Sequence, residues 1–270
     1  LKVISRYQSA DKVHLSINLE TLIANLIEKV DEKKIDSFIN REDEILNSVS
    51  IADRVRQWFP LARNHQLWKN EAKFHTVIRK GCWPLSPFSV WFLFHLAAAG
   101  KYLQQRSVLA LLVDVFQQHG EKRIEDLKSW ELAPVDLWSD DLEEDLRLSE
   151  EKGTLGSVTV SYATVISKYG HQLPKECIKI LQAIVLSSIM KLVVSDRDDA
   201  VSALALLSNL TPSRAIKAIQ QLESEYNVLA WDSGTRRFDI LGDAASRSQF
   251  LATLKQRVAS TYDERGKATL

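Results

Sequence analysis

A mainly helical chain closed by one small β-hairpin is the fold class this sequence predicts, and three observations predict it. Glycine and proline are scarce, 9 and 6 among 270 residues, so few positions break a helix. Apolar residues recur at three-and-four spacing over long stretches, the period of a helix with one buried face. Alternation of period two stands out near the end, where Phe238 and Ile240 alternate with polar neighbours after a Ser-Gly turn.

Taken in order, Leu19, Leu22, Ile23, Leu26, Ile27 and Val30 form one apolar stripe, and Ile35, Phe38, Ile39, Ile45, Leu46 and Val49 continue it beyond a charged break at 31–34. This predicts a pair of amphipathic helices whose stripe is core, with a partner-binding arm as the lesser alternative. Shorter helices are expected over 53–60 and 71–80. Next comes Gly81-Cys82-Trp83-Pro84-Leu85-Ser86-Pro87. Its two prolines stop one helix and pre-set the first turn of the next, with Ser86 as N-cap and Pro87 at N1. The helix from 88 to about 99 is apolar nearly all round and therefore expected to be buried. Gly100 closes it, and a further helix spans 103–118.

Between Asp136 and Glu151 stand eight acids against one base, Arg147. A solvated acidic connector or helix is the expectation, and a surface for a basic partner the alternative. Gly153 and Gly156 then mark a domain boundary. A buried helix is expected over 178–194 and a short apolar one over 200–207, and Thr211-Pro212-Ser213 opens another as N-cap and N1. Short strands over 227–231 and 236–241 flank the turn Asp232-Ser233-Gly234-Thr235. Helix, helix, helix, hairpin is the order of a winged-helix domain. The division expected is thus N-terminal helices over 1–80, a helical domain with its acidic connector over 81–150, a winged helix over 151–245, and a C-terminal helix or tail over 246–270.

Lysine plus arginine and aspartate plus glutamate both number 35, so no global field draws in nucleic acid and any such contact must be local. Two cysteines, Cys82 and Cys177, are too few for a disulfide framework, and the apolar stretches are too short or interrupted to span a bilayer. The cytoplasm is the expected address. The one methionine is Met190 and the chain opens on Leu1, which reads as a segment of a longer protein.

Signatures of self-sufficient catalysis are missing. No Gly-x-x-x-x-Gly-Lys-Ser/Thr loop occurs; at Gly100-Lys101 the place of the first glycine is taken by His95. There is no apolar strand ending in paired acids for Mg²⁺, no Gly-x-Ser-x-Gly and no His-Glu-x-x-His. Glu71 and His75 stand four apart with His65 nearby, but a metal needs three or four converging ligands, so none is expected here. The chain by itself is not expected to be an enzyme.

Trp83-Pro84-Leu85-Ser86-Pro87, the apolar helix after it, and Gln104-Gln105-Arg106 carry a resemblance. This run is similar to the lid of large bacterial AAA+-like ATPases, including those of BREX-type phage-exclusion systems. There a Tyr/Phe-Pro-Leu-His-Pro motif opens the lid and a Gln-x-x-Arg segment follows. Here Ser86 replaces the histidine, and the nucleotide-binding core lies outside the sequence. The resemblance covers about forty residues. It implies an AAA+ lid-like helical bundle, ATP as the cofactor of the missing core, and that core as a partner. It also implies a phosphate-sensing role for Arg106 and a setting in anti-phage defence. A guanidinium suits the sensing role, since it is always charged and bonds phosphate oxygens in pairs.

Arg214 and Lys217, at the start of the third helix of the winged unit, and Arg236 and Arg237, after the wing turn, are the candidate DNA contacts. Glu223, Glu225, Asp232 and Asp239 lie close in sequence and dilute their field. Duplex DNA and a partner subunit are therefore both open as what the winged helix holds, and a homo-oligomer is open too; a membrane is not expected. The alternative function is a free-standing winged-helix transcription regulator with a helical dimerisation domain.

Overall fold

The computed structural model describes residues 18–29, 31–45, 50–98, 105–119, 131–151 and 158–242. The expected tail over 246–270, Gly100 and Gln104 lie outside them. The chain is mainly helical with one antiparallel hairpin, as its periodicity predicts.

The first stripe folds as only two turns, α1 (Leu19–Leu26). Its buried face is Leu19, Glu20 and Ile23, while Leu26 is 58% exposed. The face is rotated because Glu20 is drawn inward: its Oε1 accepts from Trp68 Nε1 at 2.9 Å. In α2 (Glu32–Ile45), Ile35 and Ile39 point to the core. Ser50 starts α3 (Ile51–Trp58): its Oγ accepts from the Asp53 N–H at 3.2 Å and donates to Asp53 Oδ2 at 2.8 Å. Such a cap replaces one of the bonds that the first turn lacks.

The helix expected over 71–80 is one turn of α-helix (Glu71–Lys73), which widens into a π-helix (Phe74–Gly81). Phe74, Ile78 and Arg79 are buried at i, i+4 and i+5, the face of a turn longer than 3.6 residues. The π-helix packs on α1, and Gly81 permits the approach, since a Cβ there would lie 2.8 Å from the Ala24 Cβ. A cis peptide joins Trp83 to Pro84. Leu85 then pairs in parallel with Leu132: the Leu132 N–H donates to the Pro84 carbonyl at 2.7 Å, and the Ser86 N–H donates to the Leu132 carbonyl at 3.0 Å.

Ser86 caps α4 (Pro87–Ala98) by accepting from the Ser89 N–H at 3.2 Å, and Pro87 takes the first helical position. Phe88, Val90, Trp91, Phe92, Leu93 and Leu96 are all buried, as an all-round apolar helix requires. In α5 (Gln105–His119), Val108, Leu112 and Val115 form the inner stripe. The acidic stretch is a 3₁₀ turn (Pro134–Leu137) and then α6 (Asp140–Glu151), an amphipathic helix anchored by Leu142 and Leu146.

The C-terminal unit comprises α7 (Val158–Tyr169), α8 (Lys175–Ile189), α9 (Arg197–Leu207), α10 (Pro212–Ser224), β1 (Leu229–Asp232) and β2 (Arg237–Ile240). Helices α8, α9 and α10 pack pairwise, and the hairpin closes over them, β1 on α10 and β2 on α9 and α7. This is the winged-helix order. Asp196 caps α9, accepting from the Asp199 N–H at 2.8 Å. Pro212 is at N1 of α10 as expected, although the Thr211 hydroxyl faces Ser213 Oγ at 3.3 Å rather than a helix N–H. In the hairpin Trp231 pairs with Phe238 and Leu229 with Ile240. Its turn is closed by Asp232, whose Oδ1 accepts from the Gly234 N–H at 2.8 Å and whose Oδ2 accepts from Thr235 Oγ1 at 3.0 Å. Arg236, not Gly234, takes the left-handed backbone there, with φ 53°.

One apolar core runs from Leu19 to Ile240, across the divisions expected at 80 and 150. Two polar junctions reinforce it. Trp58 Nε1 donates to Asp199 Oδ1 at 2.7 Å, and its carbonyl accepts from the Val193 N–H at 2.9 Å. Asp136 Oδ2 accepts from the Ala133 N–H and from Asn209 Nδ2, both at 3.0 Å, while its Oδ1 faces Lys179 Nζ at 3.5 Å.

Candidate recognition surface

Helix α10 turns Ala215, Ala218, Ile219 and Leu222 inward. The two alanines let it lie close on α8, near enough for Cys177 Sγ to come within 3.7 Å of the Ala218 carbonyl. The outer face is therefore Ser213, Arg214, Ile216, Lys217 and Gln220, all exposed. Arg214 and Lys217 have no ion-pair partner among the described residues.

The acids that dilute this field in sequence are mostly engaged elsewhere in space. Glu223 binds Arg197 at 2.7 Å, and Asp239 binds Arg237 at 2.9 Å. Asp232 spends both oxygens on its own turn. Glu225 accepts from Gln221 Nε2 at 3.3 Å and is exposed. Positive charge is left on the outer face of α10 and at Arg236.

The four candidate cations do not form one cluster. The Arg197–Glu223 bridge joins the start of α9 to the end of α10, and Arg197 also lies over the Phe238 ring at 5.7 Å. The wing thus adjoins the far end of α10, about 14 Å from Arg214 at 1.5 Å of rise per residue. Arg214 and Lys217 form one group, and Arg236 and Arg237 a second.

Arg106 is the second residue of α5; its side chain lies outside what is described. Glu71 is bound to Arg56 at 2.7 Å, His65 Nε2 lies 3.8 Å from Glu20 Oε1, and His75 is exposed. Among the described residues no three His, Cys, Asp or Glu side chains converge as a metal site would need, and no helix is long and apolar enough to cross a membrane.

Both thiols are buried. Burial, reinforced by Glu20, pushes Cys82 up to about 12, and burial with Glu176 and Glu225 pushes Cys177 up to about 11. Neither is a thiolate at neutral pH, so neither has the character of a nucleophile. His95 is displaced the other way, down to about 4 from 6.5, first by burial and then by the Lys191 ammonium. Its Nε2 is buried without a partner, and its ring stands edge-on to Trp91 with centroids 4.8 Å apart. Between those two values the unfolded chain takes up a proton that the folded chain refuses. Stability therefore falls as pH drops from about 6.5 towards 4. His95→Phe should flatten that limb, read as a smaller difference in urea midpoint between pH 7 and pH 5 than the parent shows; an unchanged difference removes His95 as its source.

Three polar constellations escape the sequence pattern: Glu20 with Trp68, Asp136 with Asn209, and the buried ion pair of Arg79 with Glu131. Partners in each are tens of residues apart, and no spacing rule reaches that far. Comparisons with protein-family models, with curated proteins and with solved structures find no match to the chain.

Proposed function

We propose that the chain is a docking segment that holds duplex DNA through the outer face of α10, with the hairpin as a second backbone contact. The carrying observation is the exposed row of Arg214, Lys217 and Gln220, whose two cations have no ion-pair partner among the described residues, while Glu223 and Asp239 are paired with Arg197 and Arg237. Arginine and lysine there suit phosphate oxygens, and Gln220 one turn on suits a base edge. Arg236, beside the far end of α10, suits a phosphate further along the duplex, and Arg237 adds a second where it exchanges Asp239 for phosphate.

The resemblance to AAA+ lids extends this reading. The segment would be the responsive end of an ATPase, with Arg106 reporting the phosphate of a nucleotide bound by the core. In the full-length ATPase, Arg106→Ala should then slow ATP hydrolysis; unaltered hydrolysis removes the assignment.

DNA holding is tested by fluorescence anisotropy with a labelled duplex at 50 and 200 mM salt. Affinity should fall as salt rises, and Arg214→Ala with Lys217→Ala should lower it about tenfold and reduce the salt slope by about two. A salt-independent signal, or a double variant that binds as the parent does, defeats the reading. One observation favours a protein partner instead: Ile216, between the two cations, is 45% exposed. In that case Ile216→Ser weakens the complex while the charge variants leave it largely intact.

A further inference from the structure

Behind the hairpin, between β2 and the ends of α8 and α9, an open cavity of about 230 Å³ enters the molecule. Its apolar lining includes Ile184, Leu204 and Phe238. Its polar lining is mainly cationic or hydroxylic: Lys191, Arg236 and Arg237, with Ser187 and Ser188. Asp239 is the one acid among the described lining residues, and it is bound to Arg237. Lys191 and Arg236 have no ion-pair partner among the described residues. The nearby Asp196 accepts from the Asp199 N–H and Ser195 Oγ, which hold its carboxyl below the usual range, and Arg236 adds a smaller electrostatic pull without a direct ion pair.

Backbone conformation sets these two cations apart. Lys191 has φ 57° and Arg236 has φ 53°, in the left-handed region where glycine or asparagine is the less costly choice. At Lys191 this conformation ends α8, the Leu192 N–H donating to the Ser187 carbonyl at 3.0 Å, and at Arg236 it closes the hairpin turn.

We infer that this cavity binds a small carboxylate with an apolar body, its tail on Ile184, Leu204 and Phe238 and its anion between Lys191 and Arg236. The apolar lining offers a tail burial without demanding hydrogen bonds. Two cations on one lining, neither ion-paired among the described residues, complement a single anionic group. The volume is below the roughly 300–1,000 Å³ of sites for drug-sized ligands, which restricts the occupant to a small molecule. A ligand held there ties the hairpin to α8. The site is independent of what α10 holds, because its occupancy is measured with no DNA present.

Octanoate is the probe, titrated into the whole chain by calorimetry, with octan-1-ol and inorganic phosphate as matched controls. One saturable octanoate site is expected, with octan-1-ol and phosphate each at least about tenfold weaker, a loss of about 1.4 kcal/mol. The variant Lys191→Gly with Arg236→Gly removes both charges at positions where glycine suits the backbone, so its circular dichroism should match the parent. Its octanoate affinity should fall at least about tenfold. Equal binding of octanoate and octan-1-ol, phosphate binding as tightly as octanoate, an unaffected double variant, or no saturation below about 10 mM each overturns the proposal.

Discussion

Arg79→Met should lower the unfolding free energy by about 3–5 kcal/mol, a large share of the stability of a chain this size. The Arg79 side chain is 2% exposed and that of Glu131 6%, so each charge has left water to meet the other. Removing the guanidinium takes its ion-pair partner from a buried carboxylate, and that pairing no longer offsets the carboxylate's desolvation cost. Arg79 belongs to the π-helix, and Glu131 leads directly into the Leu132 pairing with Leu85. The loss should therefore reach the start of α4. Urea denaturation at pH 7 measures it, and Arg79→Met combined with Glu131→Leu provides the control. An apolar pair of similar volume should recover most of the stability. If the double variant is as unstable as the single one, the charge pairing is not the cause.

Trp58→Ala should cost about 3–5 kcal/mol, the range for deleting a buried large aromatic ring. The ring is 1% exposed and packs against Phe88 with centroids 5.8 Å apart. Trp58→Phe keeps much of that packing and gives up the bond to Asp199, so it should cost about 1–2 kcal/mol. Because Trp58 meets both α4 and the winged unit, the alanine variant should shift the unfolding of both together, in one transition with an earlier midpoint. Two separated transitions, or an unmoved midpoint, would falsify the role of Trp58 as a shared anchor.

Local grammar was legible in the sequence. Ser86 with Pro87, and Thr211 with Pro212, mark helix starts because the fixed φ of proline, joined at Ser86 by a side-chain cap, acts within one turn, and both helices begin there. The hairpin follows from alternation in Phe238 and Ile240. The π-helix was not legible, since 71–80 has an ordinary helical composition and its widening answers to α1 packed on Gly81. Nor was Glu20 legible as a core residue: its charge argues for solvent, and its partner, Trp68, is 48 residues away. The candidate cations are named by residue type and position alone. Their separation into two groups was not legible, because the Arg197–Glu223 bridge that sets the geometry joins different helices. Likewise the cavity needs the ends of α8, α9 and β2 together, and no one of them announces it.

The Trp58 contact also has a consequence for biosynthesis. Its acceptor, Asp199, lies 141 residues downstream. At about 5–20 residues per second, a ribosome supplies that acceptor roughly 7–30 s after it has made the tryptophan. Throughout that interval Trp58 can meet Phe88, made 30 residues later, but lacks the wall that the C-terminal unit supplies. Long-range closures of this kind slow folding and expose apolar surface on the nascent chain. The interval between Trp58 and Asp199 is thus a stage of synthesis at which a chaperone would have this apolar surface to cover.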